Sequence, residues 1–217
     1  MHDASSKDPQ MQVARTRRGL PIAEQDWIMT THFVKDLIEL STLDKVLDAC
    51  GGNGLFAVDF SRRCHEVTVV DINKSLLGNL EGQRRNIRTI HSDLISYLET
   101  TKDRFDKILF YAGIQYFSEY EVFNILRYFR KCLKPNGVAL IGDIPDFHRR
   151  DAYLSESTRF EKLFDNFSNK QLTIGTWFTF EWIKELAHYH GFSECKKVIQ
   201  PNFQIYHDFR FDVLLRN

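Results

Sequence analysis

The chain lacks the features that mark several large classes of protein. Its four cysteines, at positions 50, 64, 132 and 195, form no C-x-x-C pair. Neither a zinc site nor a disulfide scaffold is therefore indicated, and reduced thiols suit a cytoplasmic protein. No run of 18 apolar residues and no leader-like stretch occurs, which predicts neither a membrane span nor export. The 29 basic residues balance the 29 acidic ones. Without a basic field, nothing favours nucleic acid as a partner. There is no acidic cluster with metal-ligand spacing, no internal repeat and no low-complexity segment, so no metal is expected and a solenoid is excluded.

What is present is the composition of a soluble globular chain, 43% apolar and 27% charged over 217 residues. That length predicts one domain, 1–217, with a sizeable core. The chain is organised around Lys45-Val46-Leu47-Asp48-Ala49-Cys50-Gly51-Gly52-Asn53-Gly54-Leu55-Phe56-Ala57-Val58. An apolar run ends in an acid, a glycine cluster follows, and an amphipathic stretch begins. The pattern reads as strand, tight turn, helix. Such a turn aims free amides and the positive end of the helix dipole at whatever lies over it. Gly52 to Ala57 fits G-x-G-x-x-A, the dinucleotide fingerprint. Asp48 argues against a pyrophosphate beside it, whereas a ligand carrying an ammonium and a sulfonium tolerates a carboxylate.

The stretch Val46 to Gly54 resembles the first motif of the class I S-adenosylmethionine (SAM)-dependent methyltransferases, with Cys50 where the first glycine usually stands. Further along, Glu66-Val67-Thr68-Val69-Val70-Asp71 reads as a second buried strand ending in an acid. An acid there can accept hydrogen bonds from both ribose hydroxyls of an adenosine, or serve as a turn residue beside Asn73. A helix over 73–85 and a strand over 87–91 follow. By the resemblance, Asp93 and Leu94 meet the adenine; Asp93 is equally an N-cap for 94–100. Phe105-Asp106-Lys107-Ile108-Leu109-Phe110 matches the family's fourth strand. The loop Tyr111 to Phe117 leaves its carboxyl end, where ligands bind in open α/β sheets, and lacks the Asn/Asp-Pro-Pro-Tyr/Phe of enzymes that methylate nucleobases and glutamine side chains. A capping box at Ser118–Glu121 opens a helix over 119–133. Leu133-Lys134-Pro135-Asn136-Gly137 and the apolar strand 138–143 are a second, correctly ordered match.

Residues 1–21 read as a flexible arm, or as one that closes over the ligand. Residues 22–40 have helical apolar spacing, with Trp27 and His32 as packing residues. Residues 144–178, rich in aromatics, read as a substrate lid after the fifth strand, with more than half of those aromatics forming its own small core. A helix over 179–190 and two strands, 195–200 and 206–215, complete the chain. The expected fold is thus α/β: a doubly wound, Rossmann-like, mostly parallel seven-stranded sheet with a C-terminal antiparallel hairpin and a helical, aromatic lid.

The function implied is transfer of a methyl group from SAM, leaving S-adenosylhomocysteine (SAH), to a small molecule. The expected acceptor is an oxygen of a sugar, specialised metabolite or small anionic compound. Cofactor contacts are expected from Asp48, Cys50, Gly52, Gly54, Asp71, Ile72, Asp93, Leu94 and Tyr111. A hydroxyl acceptor benefits from a base; His148 is the candidate on intrinsic pKa, with Tyr116, Asp143 and Asp146 also near the strand ends. Gln115, Asp146, Arg149, Arg150 and Tyr153 are the substrate candidates, the two arginines able to hold an anion or simply to form a solvated turn. A monomer or homodimer is expected. N-methylation of a small amine, a nicotinamide-dependent oxidoreductase and a silent SAM-binding scaffold are the alternatives.

Overall fold

The computed structural model describes residues 5–17, 19–80, 82–156, 158–170 and 175–217. Seven strands form one sheet: β1 (Lys45–Ala49), β2 (Glu66–Asp71), β3 (Ile87–His91), β4 (Phe105–Tyr111), β5 (Leu133–Pro145), β6 (Glu194–Val198) and β7 (Arg210–Arg216). Their spatial order is β3-β2-β1-β4-β5-β7-β6. Strands β1 to β5 are parallel, and β7 lies antiparallel to both β5 and β6. The expected doubly wound sheet with an antiparallel end is therefore the observed one. Strand order reverses between β1 and β4, so the loops at their carboxyl ends part and open a crevice.

The helices are α1 (Glu24–Leu37), α2 (Leu55–Phe60), α3 (Lys74–Gly78), α4 (Leu94–Thr100), α5 (Glu119–Cys132), α6 (Arg150–Leu154), α7 (Arg159–Ser168) and α8 (Phe180–Tyr189). Adjacent strand residues part to opposite faces. Val46 joins Val34, Phe60 and Leu77 under α1 to α3, while Leu47 joins Leu98, Phe129 and Ile183 under α4, α5 and α8. Burial on both faces is why these strands read as continuous apolar runs rather than alternating ones. Each fully buried Leu, Ile or Phe contributes about 1.5–3 kcal/mol. Helix α5 starts where its capping box places it, with the Ser118 amide donating to Glu121 Oε2 at 2.7 Å and the Glu121 amide to Ser118 Oγ at 3.3 Å.

Several boundaries differ from expectation. Helix α3 stops at Gly78 instead of continuing to 85, because two glycines interrupt it and Gly82 holds φ +75°. Beyond it, Asn86 Nδ2 donates to the Ser61 carbonyl at 2.9 Å, tying the chain to the end of α2 instead. The final strand starts at Arg210, since 201–209 form turns. In the lid, α7 buries none of its residues, and Phe160, Phe164 and Phe167 are exposed. The expected aromatic core of the lid is reduced to Tyr153, Trp177 and Phe178, which pack outward onto Phe209 and Trp182. Of the expected lid, 157 and 171–174 lie outside the described residues. No described helix is long and apolar enough to cross a membrane.

Strand β5 carries an irregularity that shapes the crevice. Its register on β7 shifts between Ile141 and Ile144, and Asp143 there has φ +62°. Beside it, a Cβ on Gly142 would lie 2.2 Å from Tyr111 Cδ2. The tyrosine ring occupies the space a side chain there would need. Gly142→Ala should therefore cost about 1–3 kcal/mol through overpacking, read as a lower midpoint in urea; an unchanged midpoint would show that the ring moves freely.

Candidate active site

The N-terminal end of α2 organises the crevice. Gly54 sits at φ +74° as its N-cap, and a Cβ there would be 2.3 Å from Leu80 Cδ2; only glycine meets both conditions. Cys50 holds φ +56° without being glycine, a strained conformation of the kind kept at functional sites. Asp48 is buried near the end of β1, and among the described residues its Oδ2 has no partner. Burial, then the nearby Asp71, pushes its pKa up to about 7, and the Ala57 amide opposes that rise. Asp71, at the end of β2, accepts from the Gly52 amide and the Asn73 amide, both at 2.8 Å. Burial, with the carboxylates of Asp71, Asp48 and Asp93 around it, pushes the Cys50 thiol well up. Three acids and a glycine turn thus surround one half of a cleft of about 770 Å³, within the range of small-molecule sites.

The other half is aromatic. Tyr116, Tyr153, Tyr206 and Phe209 line it, with Gln115, Asp143 and Arg210. Arg210 donates to the Asp143 carbonyl at 2.7 Å and pairs with its carboxylate at 3.4 Å. Behind them Asp212 Oδ1 accepts from the Asp143 amide and from Gln200 Nε2, both at 2.7 Å. Burial pushes the Asp212 pKa up to about 7, against those hydrogen bonds. Burial, with Asp212 and Asp143 nearby, also raises Tyr111, whose hydroxyl meets Arg15.

Of the sequence candidates, Asp48, Cys50, Gly52, Asp71, Ile72, Asp93, Leu94 and Tyr111 line the cleft. So do Gln115, Tyr116 and Tyr153. Gly54 lies beneath as a cap, and Asp93 also caps α4, accepting from the Ser96 amide at 2.9 Å. Four candidates are elsewhere. His148 is exposed, 3.7 Å from Glu181 across the surface. Asp146 accepts from the His148 amide at 3.0 Å and pairs with Lys197 at 3.4 Å, so its carboxylate is committed to a turn. Arg149 and Arg150 stand beside His148 in that turn and α6, outside the cleft. The chain bends at Asp146 to run parallel to Phe178, which carries these four side chains away from the strand ends. None of the four lines the cleft: Asp146 is buried in the turn, and His148, Arg149 and Arg150 lie on it and at the start of α6.

Sequence reasoning read Trp27 as packing, placed Arg15 in the arm and passed over Tyr206, Phe209 and Arg210; all five line the cleft. Arg210 and Asp212 had a readable signal: two charges at i, i+2 in an apolar terminal strand put charge inside a sheet, where it needs partners. The N-terminal segment, expected either as a flexible arm or as one that closes over the ligand, lies across the cleft, with Val13, Ala14 and Arg15 in its lining. Asp8 caps a single helical turn, Pro9–Gln12, and Thr16–Arg17 pairs with Leu20–Pro21. Arg18 lies outside the described residues.

A glycine turn after the first strand, an acid ending the second, and a parallel sheet closed by an antiparallel pair define the class I SAM-dependent methyltransferase fold. Residues 46–137 match the family model of the methyltransferase domain. The segment that carries the glycine turn and the three acids of the cleft thus matches a methyltransferase domain, a class whose methyl donor is SAM. Solved structures agree on the fold. A SAM-dependent methyltransferase of Clostridium acetobutylicum ATCC 824 superposes with TM-score 0.66 at 14% identity, over 90% of this chain and 92% of that one. The N-methyltransferase NodS of Bradyrhizobium japonicum WM9, solved with SAH, gives 0.62 at 14% identity over 88% and 86%. A candidate O-methyltransferase of Nostoc punctiforme PCC 73102 gives 0.64 at 19% identity over 90% of this chain, which spans 56% of that protein. A search of curated proteins found no match in sequence.

The residues present fit SAM. Among the described residues Asp48 Oδ2 is an acceptor with no donor, and its carboxyl together with Asp71 and Asp93 suits a cationic ligand better than a pyrophosphate. At Gly51 a Cβ would be 2.7 Å from Asp48 Oδ2 and Val69 Cγ1, so only glycine lets the turn pack directly on the ends of β1 and β2.

Proposed function

We propose that this protein transfers a methyl group from SAM to an oxygen of a small, flat, hydroxylated acceptor. The observation that supports this reading is the division of one cleft into an acidic glycine-turn half and a tyrosine-lined half. Bound SAM would supply an already electrophilic methyl group. The chain's own task is then to align the acceptor and exclude water. Asp71, Asp93, Leu94 and Ile72 would hold the adenosine, and the turn from Cys50 to Gly52 would hold the amino-acid end. Tyr116, Gln115 and Tyr153 would orient the acceptor by their rings and polar tips. Asp143, paired with Arg210 and held through its amide by Asp212, would be the carboxylate that takes a hydroxyl proton, the part expected earlier of His148. A small amine is the second reading, favoured by the carboxylates of Asp143 and Glu121, which would attract it as a cation and could take its proton. The protein is read as a monomer or homodimer acting on a free small molecule.

Calorimetric titration with SAM, SAH and NAD tests the cofactor half first. Micromolar binding of the two adenosyl ligands supports the reading, and NAD binding alone overturns it. Methyl transfer to a panel of phenols, sugars and amines then tests the acceptor half. Tyr116→Phe and Asp143→Asn should lower kcat at least tenfold on a hydroxyl acceptor, while His148→Ala leaves it unchanged. A loss with His148→Ala and none with Asp143→Asn would reverse the assignment.

A further inference from the structure

Arg15 is the least expected side chain in the cleft. It comes from a segment the sequence presents as a polar arm, yet it is only 9% exposed. Its guanidinium lies 4.9 Å from the Tyr111 ring centre, 5.2 Å from Trp27 and 5.7 Å from Phe56. Those rings pack on one another, with Phe56 4.8 Å from both Trp27 and Tyr111. Cation–π attraction offsets part of the cost of burying the charge. Among the described residues, however, no carboxylate pairs with Arg15. A guanidinium taken out of water without an anion is expensive, and its planar fork matches a carboxylate in two parallel hydrogen bonds.

The placement is held from both sides. On the cofactor side, Asn53 Nδ2 donates to the Pro9 carbonyl and to Gln12 Oε1, both at 2.7 Å, and Asn79 Nδ2 donates to Gln12 Oε1 at 3.1 Å. On the acceptor side, the Tyr206 hydroxyl donates to the Thr16 carbonyl at 3.0 Å. Arg15 is thus the middle of a strap slung from the glycine turn to the tyrosine wall. Phe56 sits on α2, two residues past Gly54, so the guanidinium stands over the helix that begins at the turn. Asp71 and Asp93 mark the far, adenosine half.

We propose that Arg15 is the carboxylate-binding residue of this cleft, taking the carboxylate at the amino-acid end of SAM. The inference rests on the SAM reading above and adds a named residue to it. It makes the strap part of the cofactor site, so that a nucleoside lacking the amino-acid end gains nothing from it.

The test compares SAH with 5′-methylthioadenosine, which lacks the amino acid, on wild type, Arg15→Ala and Arg15→Lys, with melting curves as a folding control. Arg15→Ala should weaken SAH at least 30-fold, as expected for a buried charge-assisted bond. Methylthioadenosine should change less than threefold. Arg15→Lys should restore part of the SAH affinity by charge alone. Three results would overturn the proposal: unchanged SAH affinity, which would leave the guanidinium for an acceptor's anion; tighter SAH binding, which would make Arg15 a plug; or equal loss for both ligands, which would mean the strap acts only by packing. If wild type binds neither SAH nor SAM, the cofactor reading itself fails, and the role of Arg15 with it.

Discussion

Asp71→Ala should weaken SAM and SAH binding by about two orders of magnitude or more. Hydrogen bonds to a charged group contribute about 1.5–3 kcal/mol each, and a ribose offers two hydroxyls to one carboxylate. Loss of both amounts to about 3 kcal/mol or more, at 1.4 kcal/mol per tenfold. The structure adds a second cost. Asp71 accepts from the Gly52 and Asn73 amides at 2.8 Å each, so its removal also frees the glycine turn and the start of α3. Asp71→Asn separates the two effects. It keeps an acceptor for one amide while losing the charge, and should bind between wild type and the alanine variant. Calorimetry reads the affinities. Binding by Asp71→Ala within fivefold of wild type would remove this residue from the cofactor site.

The second large effect is on stability against pH. Asp48 and Asp212 are fully buried carboxyls whose pKa values burial pushes from 3.8 to about 7. A raised carboxyl pKa means that the folded protein holds a proton the unfolded chain has released. Between pH 4 and 7 the native state therefore binds more protons, and each group's contribution falls as pH rises through that window. Above about 7 it levels off. Asp48→Asn is nearly the same shape, keeps an acceptor for the Ala57 amide, and carries no charge to bury. At pH 8 it should be more stable than wild type, by about 4 kcal/mol at most, taking 1.36 kcal/mol per pKa unit. At pH 4 the difference should fall below about 1 kcal/mol. Asp212→Asn should behave likewise. His190, whose pKa burial lowers, works in the opposite direction up to pH 6.5. The difference between variant and wild type in urea melts, not the wild-type slope, is the quantity to follow. A gap that is flat from pH 4 to 8 would show that these carboxyls ionise normally in the folded state.

How much was legible in the chain follows from what kind of interaction each feature needs. The glycine turn, Asp71, Asp93 and the fourth-strand loop were readable because a strand end and its turn are local. Backbone conformation at Gly54 and the strand period decide them within a few residues. The acceptor wall was not readable in the same way. His148, Arg149 and Arg150 follow the fifth strand directly, and sequence proximity suggested the cleft. The bend at Asp146, held by Lys197 and by the Phe178 pairing, turns them outward. Arg210 arrives from the antiparallel end of the chain, 67 residues from the Asp143 it bonds, and Tyr206 meets the Thr16 carbonyl from 190 residues away.

The sequence by itself determined the layer order, the place of the crevice and the acids of its cofactor half. Each of these depends on hydrophobic period and turn chemistry, which are properties of neighbouring residues. Only the tertiary structure decided that Arg15 of the N-terminal segment crosses the cleft, that Asp143 and Arg210 form its floor, and that Asp48 and Asp212 lose their water. Those outcomes depend on which surfaces exclude solvent. Burial of a charge is decided by everything packed around it rather than by the residues beside it in the chain.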